Sequence, residues 1–132
     1  MNEPTLKFIG SVQSPLKNLE DCPLQEHEEA PQASIIIFPE FMDGIRQIKK
    51  GSEIILLTWF HEADRSVIKC IPRRNYDAPQ IGVFSTRSPD RPNPIGLHTV
   101  KIVAISENGE IKVSALEALD GTPVIDIKPV LR

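Results

Sequence analysis

Residues 97–116 read LHTVKIVAISENGEIKVSAL, and this stretch decides the fold. Two runs rich in β-forming residues, 97–105 and 110–116, flank Asn108-Gly109, and an Asn-Gly pair suits the positive-φ positions of a tight hairpin turn. Antiparallel pairing of the two runs follows. Working outward, residues 6–12 alternate loosely until Pro15 and predict a first strand. Residues 15–32, acidic and carrying Pro23 and Pro31, predict a long loop, and residues 35–38 a buried strand. Pro39 can open a short helix with Phe41, Ile45 and Ile48 on one face and Gly51 closing it. Glu40 at its start and Lys49 and Lys50 at its end suit the helix dipole.

Residues 53–60 form a continuous run of Ile, Leu, Thr and Trp, which predicts a central strand buried on both faces, with Trp59 and Phe60 in the core. Residues 67–71 predict a short strand paired with it across a turn at 63–66. A last strand, 124–127, follows the turn Asp120-Gly121-Thr122-Pro123. One short helix and about seven strands, joined by turns too short for crossover helices, predict an all-β, mainly antiparallel β-barrel.

The chain has 132 residues, 40% apolar and 25% charged, which suits one globular domain over residues 1–132. A net charge of −3 argues against a general nucleic-acid binder. Charge is unevenly placed, however. Glu20, Asp21, Glu26, Glu28 and Glu29 crowd one stretch, whereas Lys69, Arg73, Arg74, Arg87 and Arg91 face only Asp77 and Asp90 in another. That local excess suits a polyanion, although on the residues alone a solvated loop face balanced by acids elsewhere is the commoner meaning of such a run. Cys22 and Cys70 form neither a disulfide framework nor a metal-ligand spacing, so no metal is expected and a reducing compartment fits. The amino terminus lacks a secretory apolar stretch and no run is long enough to span a bilayer, so a cytoplasmic protein with no membrane partner is expected. Neither a dinucleotide-binding nor a phosphate-binding glycine loop is present.

Residues 82–97, GVFSTRSPDRPNPIGL, carry the chemistry. Pro89, Pro92 and Pro94 fix their own φ and push their predecessors toward extended backbone, so Arg91 and Asn93 are displayed with little ordering entropy left to lose. A carboxamide carries a donor and an acceptor side by side, the complement of an adenine edge, and Arg87 and Arg91 are fork-shaped cations suited to carboxylates, phosphates and bases. The same residues would also make a stiff surface turn with ordinary ion pairs.

The run FSTRSPDRPNPIG, together with LDGTPVIDIKP near the carboxy terminus, resembles the signature of the TsaA-like family, whose best-known members are TrmO-type tRNA adenine N6-methyltransferases. The resemblance extends from FIGSVQSP to the DIKP tail. It implies a β-barrel, S-adenosyl-L-methionine as cofactor, methylation of N6 of threonylcarbamoyl-adenosine at position 37 in the tRNA anticodon loop, and a homodimer.

Carried onto this chain, the resemblance implies cofactor contacts at Pro23, Leu24, Gln25, His61, Glu62, Arg87, Leu97, Asp120, Gly121 and Thr122. Gly121 would let backbone approach a ligand, and Asp120 would accept from hydroxyls or amines. The catalytic candidates are Asn93, to grip the adenine edge, Asp126, to position the amine and take its proton, and Lys128. On an extended chain Lys128 shares a face with Asp126, and it can bind a phosphate, bind the substrate carboxylate, or simply pair with that aspartate. Arg73, Arg74, Tyr76 and Arg91 are candidates for RNA contact, with Tyr76 able to stack on an unpaired base or to pack under its own loop. Two departures stand out. Val130 replaces the aromatic of the usual DIKPY tail, and the chain stops at Arg132 where some relatives continue into a further domain. Two alternatives stay open: a methyltransferase of another RNA or small amine, and a non-enzymatic domain that binds the donor or a nucleotide.

Overall fold

A computed structural model describes residues 3–16, 31–71 and 79–131. Six strands close a barrel in the order β1-β2-β7-β6-β3-β8, every neighbouring pair antiparallel, with β8 returning to β1. The barrel strands are β1 (Gly10–Gln13), β2 (Ala33–Ile37), β3 (Glu53–Trp59), β6 (Ile95–Ile105), β7 (Glu110–Val113) and β8 (Pro123–Pro129). A separate two-stranded ribbon pairs β4 (Lys69–Cys70) with β5 (Ile81–Gly82). The all-β barrel expected from the turn chemistry is present. Val12, Ile35, Leu56, Ile102, Ile111, Val113 and Val124 fill its interior, all almost wholly buried.

The hairpin at Asn108-Gly109 forms as read, with Gly109 at φ 88° and Ile105 opposite Ile111. The strand expected at 6–12 begins only at Gly10. Its partner β2 ends at Ile37, so Leu6 and Phe8 have no ladder to join and stay exposed. The expected helix is a 3-10 segment, Pro39–Ile45, whose register shows in the bond from Phe41 N–H to the Phe38 carbonyl (2.9 Å). Phe41, Ile45 and Ile48 pack on the core as expected, whereas Lys49 and Lys50 fall beyond its end.

Two expectations about β3 are corrected. Its side chains alternate: Ile54, Leu56 and Thr58 point into the barrel, but Ile55, Leu57 and Trp59 are only half-buried on the outside. The apolar run therefore does not mark burial on both faces. Residues 67–71 do not pair with β3, because β6 and β8 already occupy both of its edges. Lys69 and Cys70 find β5 instead.

Candidate functional site

Strand direction brings several of the sequence-predicted residues to one end of the barrel, whereas Lys128, opposite Ile55, lies toward the other. In an antiparallel barrel the carboxy ends of β1, β3 and β7 lie at the same end as the amino ends of β2, β6 and β8. That end therefore carries the turn after Trp59, the Pro-rich bend before Ile95 and the Asp120-Gly121 corner before Pro123. Phe60 N–H bonds to the Pro94 carbonyl (2.8 Å), tying the first two together. Thr58 is opposite both Gly96 and Val124, so Thr122, two residues before Val124, lies at the level of Phe60. The bend and the corner are thus separated only by β3, about 10 Å between their carrier strands.

The floor beneath this rim is buried and polar. Thr58 Oγ1 and His98 Nε2 are 2.9 Å apart, and Phe60 meets the His98 ring edge-on at 5.8 Å. Gly96 makes this packing possible: a Cβ there would lie 2.6 Å from Thr58 Oγ1 and 2.8 Å from His98 Nε2. The glycine of the NPIG run is therefore needed for a close approach inside the barrel.

Along the outside, one row crosses three strands. Leu97, Leu57 and Asp126 are register partners, and Ile95 stands opposite Trp59. Ile95 and Leu97 keep 42% and 45% of their surface exposed. Arg87 borders this apolar strip, its Nη2 donating to the Leu97 carbonyl at 3.1 Å. Asp126 accepts from the Ile127 N–H (2.9 Å) and pairs with Lys128 Nζ at 3.2 Å. Both side chains of that pair are about half exposed, so it adds little stability.

The bend itself is pinned from within. Arg91, expected to be displayed, turns back: its Nη2 donates to the carbonyls of Val83 and of Thr86, the latter at 2.8 Å. Asn93 remains exposed, and its Oδ1 accepts from Arg65 Nη2 at 3.3 Å. Arg65 also donates through Nε to the Pro92 carbonyl (2.8 Å) and lies 5.0 Å over the Trp59 ring. Trp59 is consequently a half-buried rim residue rather than a core one. Asn93 and Asp126 are not brought together. Their carrier segments flank β3 two strand spacings apart, about 10 Å, and the described side-chain contacts of Asn93 and of Asp126 go to other partners.

At the corner, Asp120 Oδ1 accepts the Ser14 N–H (3.0 Å), Gly121 takes φ 85° and donates to the Val12 carbonyl (2.7 Å), and Thr122 closes the turn through Oγ1 on the Leu119 carbonyl (2.7 Å). Thr122 is buried, so its hydroxyl serves the turn. His61 and Glu62 are exposed in the turn after β3. A cleft of about 510 Å³ opens beside the corner, lined among others by Gln13, Ser14, Ser34, Lys112 and Asp120. Pro23, Leu24 and Gln25 lie outside the described residues, as do Arg73, Arg74 and Tyr76. Among the described residues no cluster of His, Cys, Asp or Glu could hold a metal ion, and no helix is long and apolar enough to cross a membrane.

Sequence reading missed Arg65 and the Thr58–His98 floor. Arg65 lies in a short polar turn and meets its partners 27 and 28 residues away, so no local signal marks it.

Comparison with known proteins bears out the resemblance. The model of the tRNA-methyltransferase O N-terminal domain matches residues 11–132. A probable S-adenosyl-L-methionine-binding protein of Methanothermobacter thermautotrophicus is 44% identical over 128 residues, 96% of this chain and 90% of its own. An S-adenosyl-L-methionine-binding protein of Archaeoglobus fulgidus is 45% identical over 123 residues, covering 93% of this chain and 86% of that one. The crystal structure of TrmO from Pseudomonas aeruginosa superposes with a TM-score of 0.75 at 30% identity, covering 98% of this chain but only 57% of that one.

Proposed function

The chain belongs to the family of tRNA-methyltransferase O N-terminal domains, and from that membership and the geometry of the rim we propose that it is an S-adenosyl-L-methionine-dependent tRNA methyltransferase, acting on N6 of threonylcarbamoyl-adenosine at position 37 of the anticodon loop. The observation that carries the reading is the convergence on one barrel end of Arg87 with Leu97, the His61-Glu62 turn and the Asp120-Gly121 corner.

The residues present fit the donor. Arg87 offers a guanidinium for its carboxylate, the exposed Ile95 and Leu97 side chains offer an apolar surface for its adenine, and Asp120 and Glu62 offer acceptors for its hydroxyls and amine. A Cβ built on Gly121 would meet nothing within 4 Å, so the corner has room for a ligand against its backbone. When bound, this donor supplies a methyl group already activated on sulfonium, so holding the acceptor in line is the protein's main task.

Asn93 performs that task by gripping the adenine edge. Asp126 and Lys128, on the strand beyond β3, serve the far end of the acceptor in this reading. There Lys128 receives the carboxylate of the threonyl group, and Asp126 orders Lys128 through their ion pair and accepts the N6 proton along a chain of waters. The threonylcarbamoyl substituent extends from N6, which suits this division. A homodimer belongs to the same proposal, since Phe84, Ile68 and Ile71 leave apolar surface on the ribbon that a second copy would cover. A cytoplasmic location follows from a tRNA substrate.

The test incubates the protein with isotopically labelled donor and tRNA, with and without the threonylcarbamoyl group. Label is expected only in the modified tRNA. Asn93→Ala should lower transfer by about 100-fold with donor affinity intact, and Lys128→Ala should erode discrimination between the two RNAs. Label in neither RNA would overturn the methyltransferase reading and leave a donor-binding protein or another acceptor. Failure to bind the donor would overturn both.

A further inference from the structure

We propose that Arg65 is the positioning residue that sets the orientation of the Asn93 carboxamide, an inference that rests on the reading of Asn93 as the group that grips the acceptor base. Guanidinium nitrogens only donate, so the atom of Asn93 facing Arg65 must be the acceptor Oδ1. The Nδ2 group then points away from Arg65, toward the open side of the bend. Asn93 is thereby committed to present two N–H donors and the remaining lone pair of Oδ1, which is the pattern that an adenine ring nitrogen and an N6–H complement.

Arg65 can do this because it is held in two perpendicular directions. One edge of its guanidinium, Nε and Nη2, spans the Pro92 carbonyl at 2.8 Å and Asn93 Oδ1 at 3.3 Å, and its face lies 5.0 Å over Trp59. Stacking sets the plane and the edge sets the rotation. The backbone on either side is fixed as well. Asp64 N–H donates to Asp90 Oδ1 (2.9 Å), and Asp64 Oδ1 accepts from Ser66 N–H (2.9 Å) and Ser66 Oγ (2.6 Å). Asp90 belongs to the same bend as Asn93, so the turn that carries Arg65 moves with the residue it orients. A cation bonded to Oδ1 also polarises the amide and strengthens its N–H donors.

The test compares Arg65→Ala and Arg65→Lys with the unaltered protein. Arg65 is exposed, so both variants should fold, and thermal melts check this. Both should lower kcat/KM for tRNA by about 10- to 100-fold while leaving donor affinity unchanged, since lysine keeps the charge but cannot stack and fork together. On an Asn93→Ala background the loss should vanish. Two readouts do not depend on turnover. The side-chain amide resonances of Asn93 should shift in both variants, and so should the emission of Trp59, the only tryptophan in the chain. An undiminished effect of Arg65→Ala on the Asn93→Ala background, or Asn93 resonances that stay put, would overturn the proposal. A protein that never methylates tRNA would instead sink the functional reading, and the amide resonances would still decide the role of Arg65.

Discussion

The two ends of the barrel are closed by opposite means. At one end the chain turns tightly at Asn108-Gly109, and the 3-10 segment lays Phe41, Met42 and Ile45 against the core as an apolar plug. At the other, the connections are wide and polar, and they are held by side-chain to main-chain bonds from Arg65, Arg87, Arg91 and Asp120. Each end has a glycine in the left-handed region, Gly109 at φ 88° and Gly121 at φ 85°. Their surroundings differ. A Cβ on Gly109 would lie 2.5 Å from Met42 Sδ and 3.3 Å from the Ile37 carbonyl oxygen, whereas one on Gly121 would meet nothing. Packing that excludes everything stabilises; a backbone bend with empty space in front of it can receive a ligand.

Exchanging each glycine for alanine gives the largest expected effect and the sharpest comparison. Both variants incur left-handed strain of about 1–2 kcal/mol. Gly109→Ala adds the cost of repacking Met42, for a total of about 2–4 kcal/mol, read as a lower urea midpoint with donor affinity unchanged. Gly121→Ala should lose only the strain yet weaken donor binding, measured by calorimetry. Equal losses of stability at the two sites, with donor affinity unmoved in both, would mean that the ends are packed alike.

Removing the carboxylate of Asp120 has a smaller effect and acts at the open end alone. Asp120→Ala deprives the Ser14 N–H of its acceptor and should cost about 1–2 kcal/mol. Asp120→Asn keeps an acceptor oxygen and should recover most of that. If donor binding falls in both variants while stability falls only in the first, the charge serves the ligand and the hydrogen bond serves the corner. A stability loss unchanged between the two would contradict this division.

What the sequence made legible was local. Asn108-Gly109 and Asp120-Gly121 state their turns in two letters, and the β-forming runs on either side of Asn108-Gly109 state their antiparallel pairing. What it hid depended on distant partners. Residues 67–71 look like a strand for β3 until β6 and β8 are seen to fill both of its edges. The run at 53–60 reads as doubly buried because the outer side chains of β3 are apolar too, although they line the candidate site. Arg91 and Arg65 exchange their expected importance for the same reason. Pro-rich neighbours marked Arg91 for display, but its guanidinium is spent on the carbonyls of its own bend, while Arg65, in an unremarkable turn, reaches Asn93. The Asp126–Lys128 pair was foreseen as one of several fates, since residues two apart on a strand share a face. The separation of Asp126 from Asn93 could be read only from the register of three strands.

The smallest expected effect concerns pH and probes the open end through the turn that carries Arg65. Hydrogen bonds from the Ser66 hydroxyl and N–H hold the Asp64 carboxyl below its ordinary value of 3.8. A carboxylate with a depressed folded value stabilises the turn fully above that ordinary value, and the contribution is lost as pH falls through the lower folded value. Acidification below about pH 4 should therefore release the Ser66 bonds and loosen Arg65 over Trp59, with neutral and alkaline pH leaving the turn unchanged. Amide chemical shifts of Ser66 and emission from Trp59, followed together from pH 7 to pH 2, should move in one step below the usual aspartate midpoint. Asp64→Asn should abolish that step for both signals. A Trp59 transition that persists in this variant would show that the tryptophan reports another acid, and would detach the 64–66 turn from the device that orients Asn93.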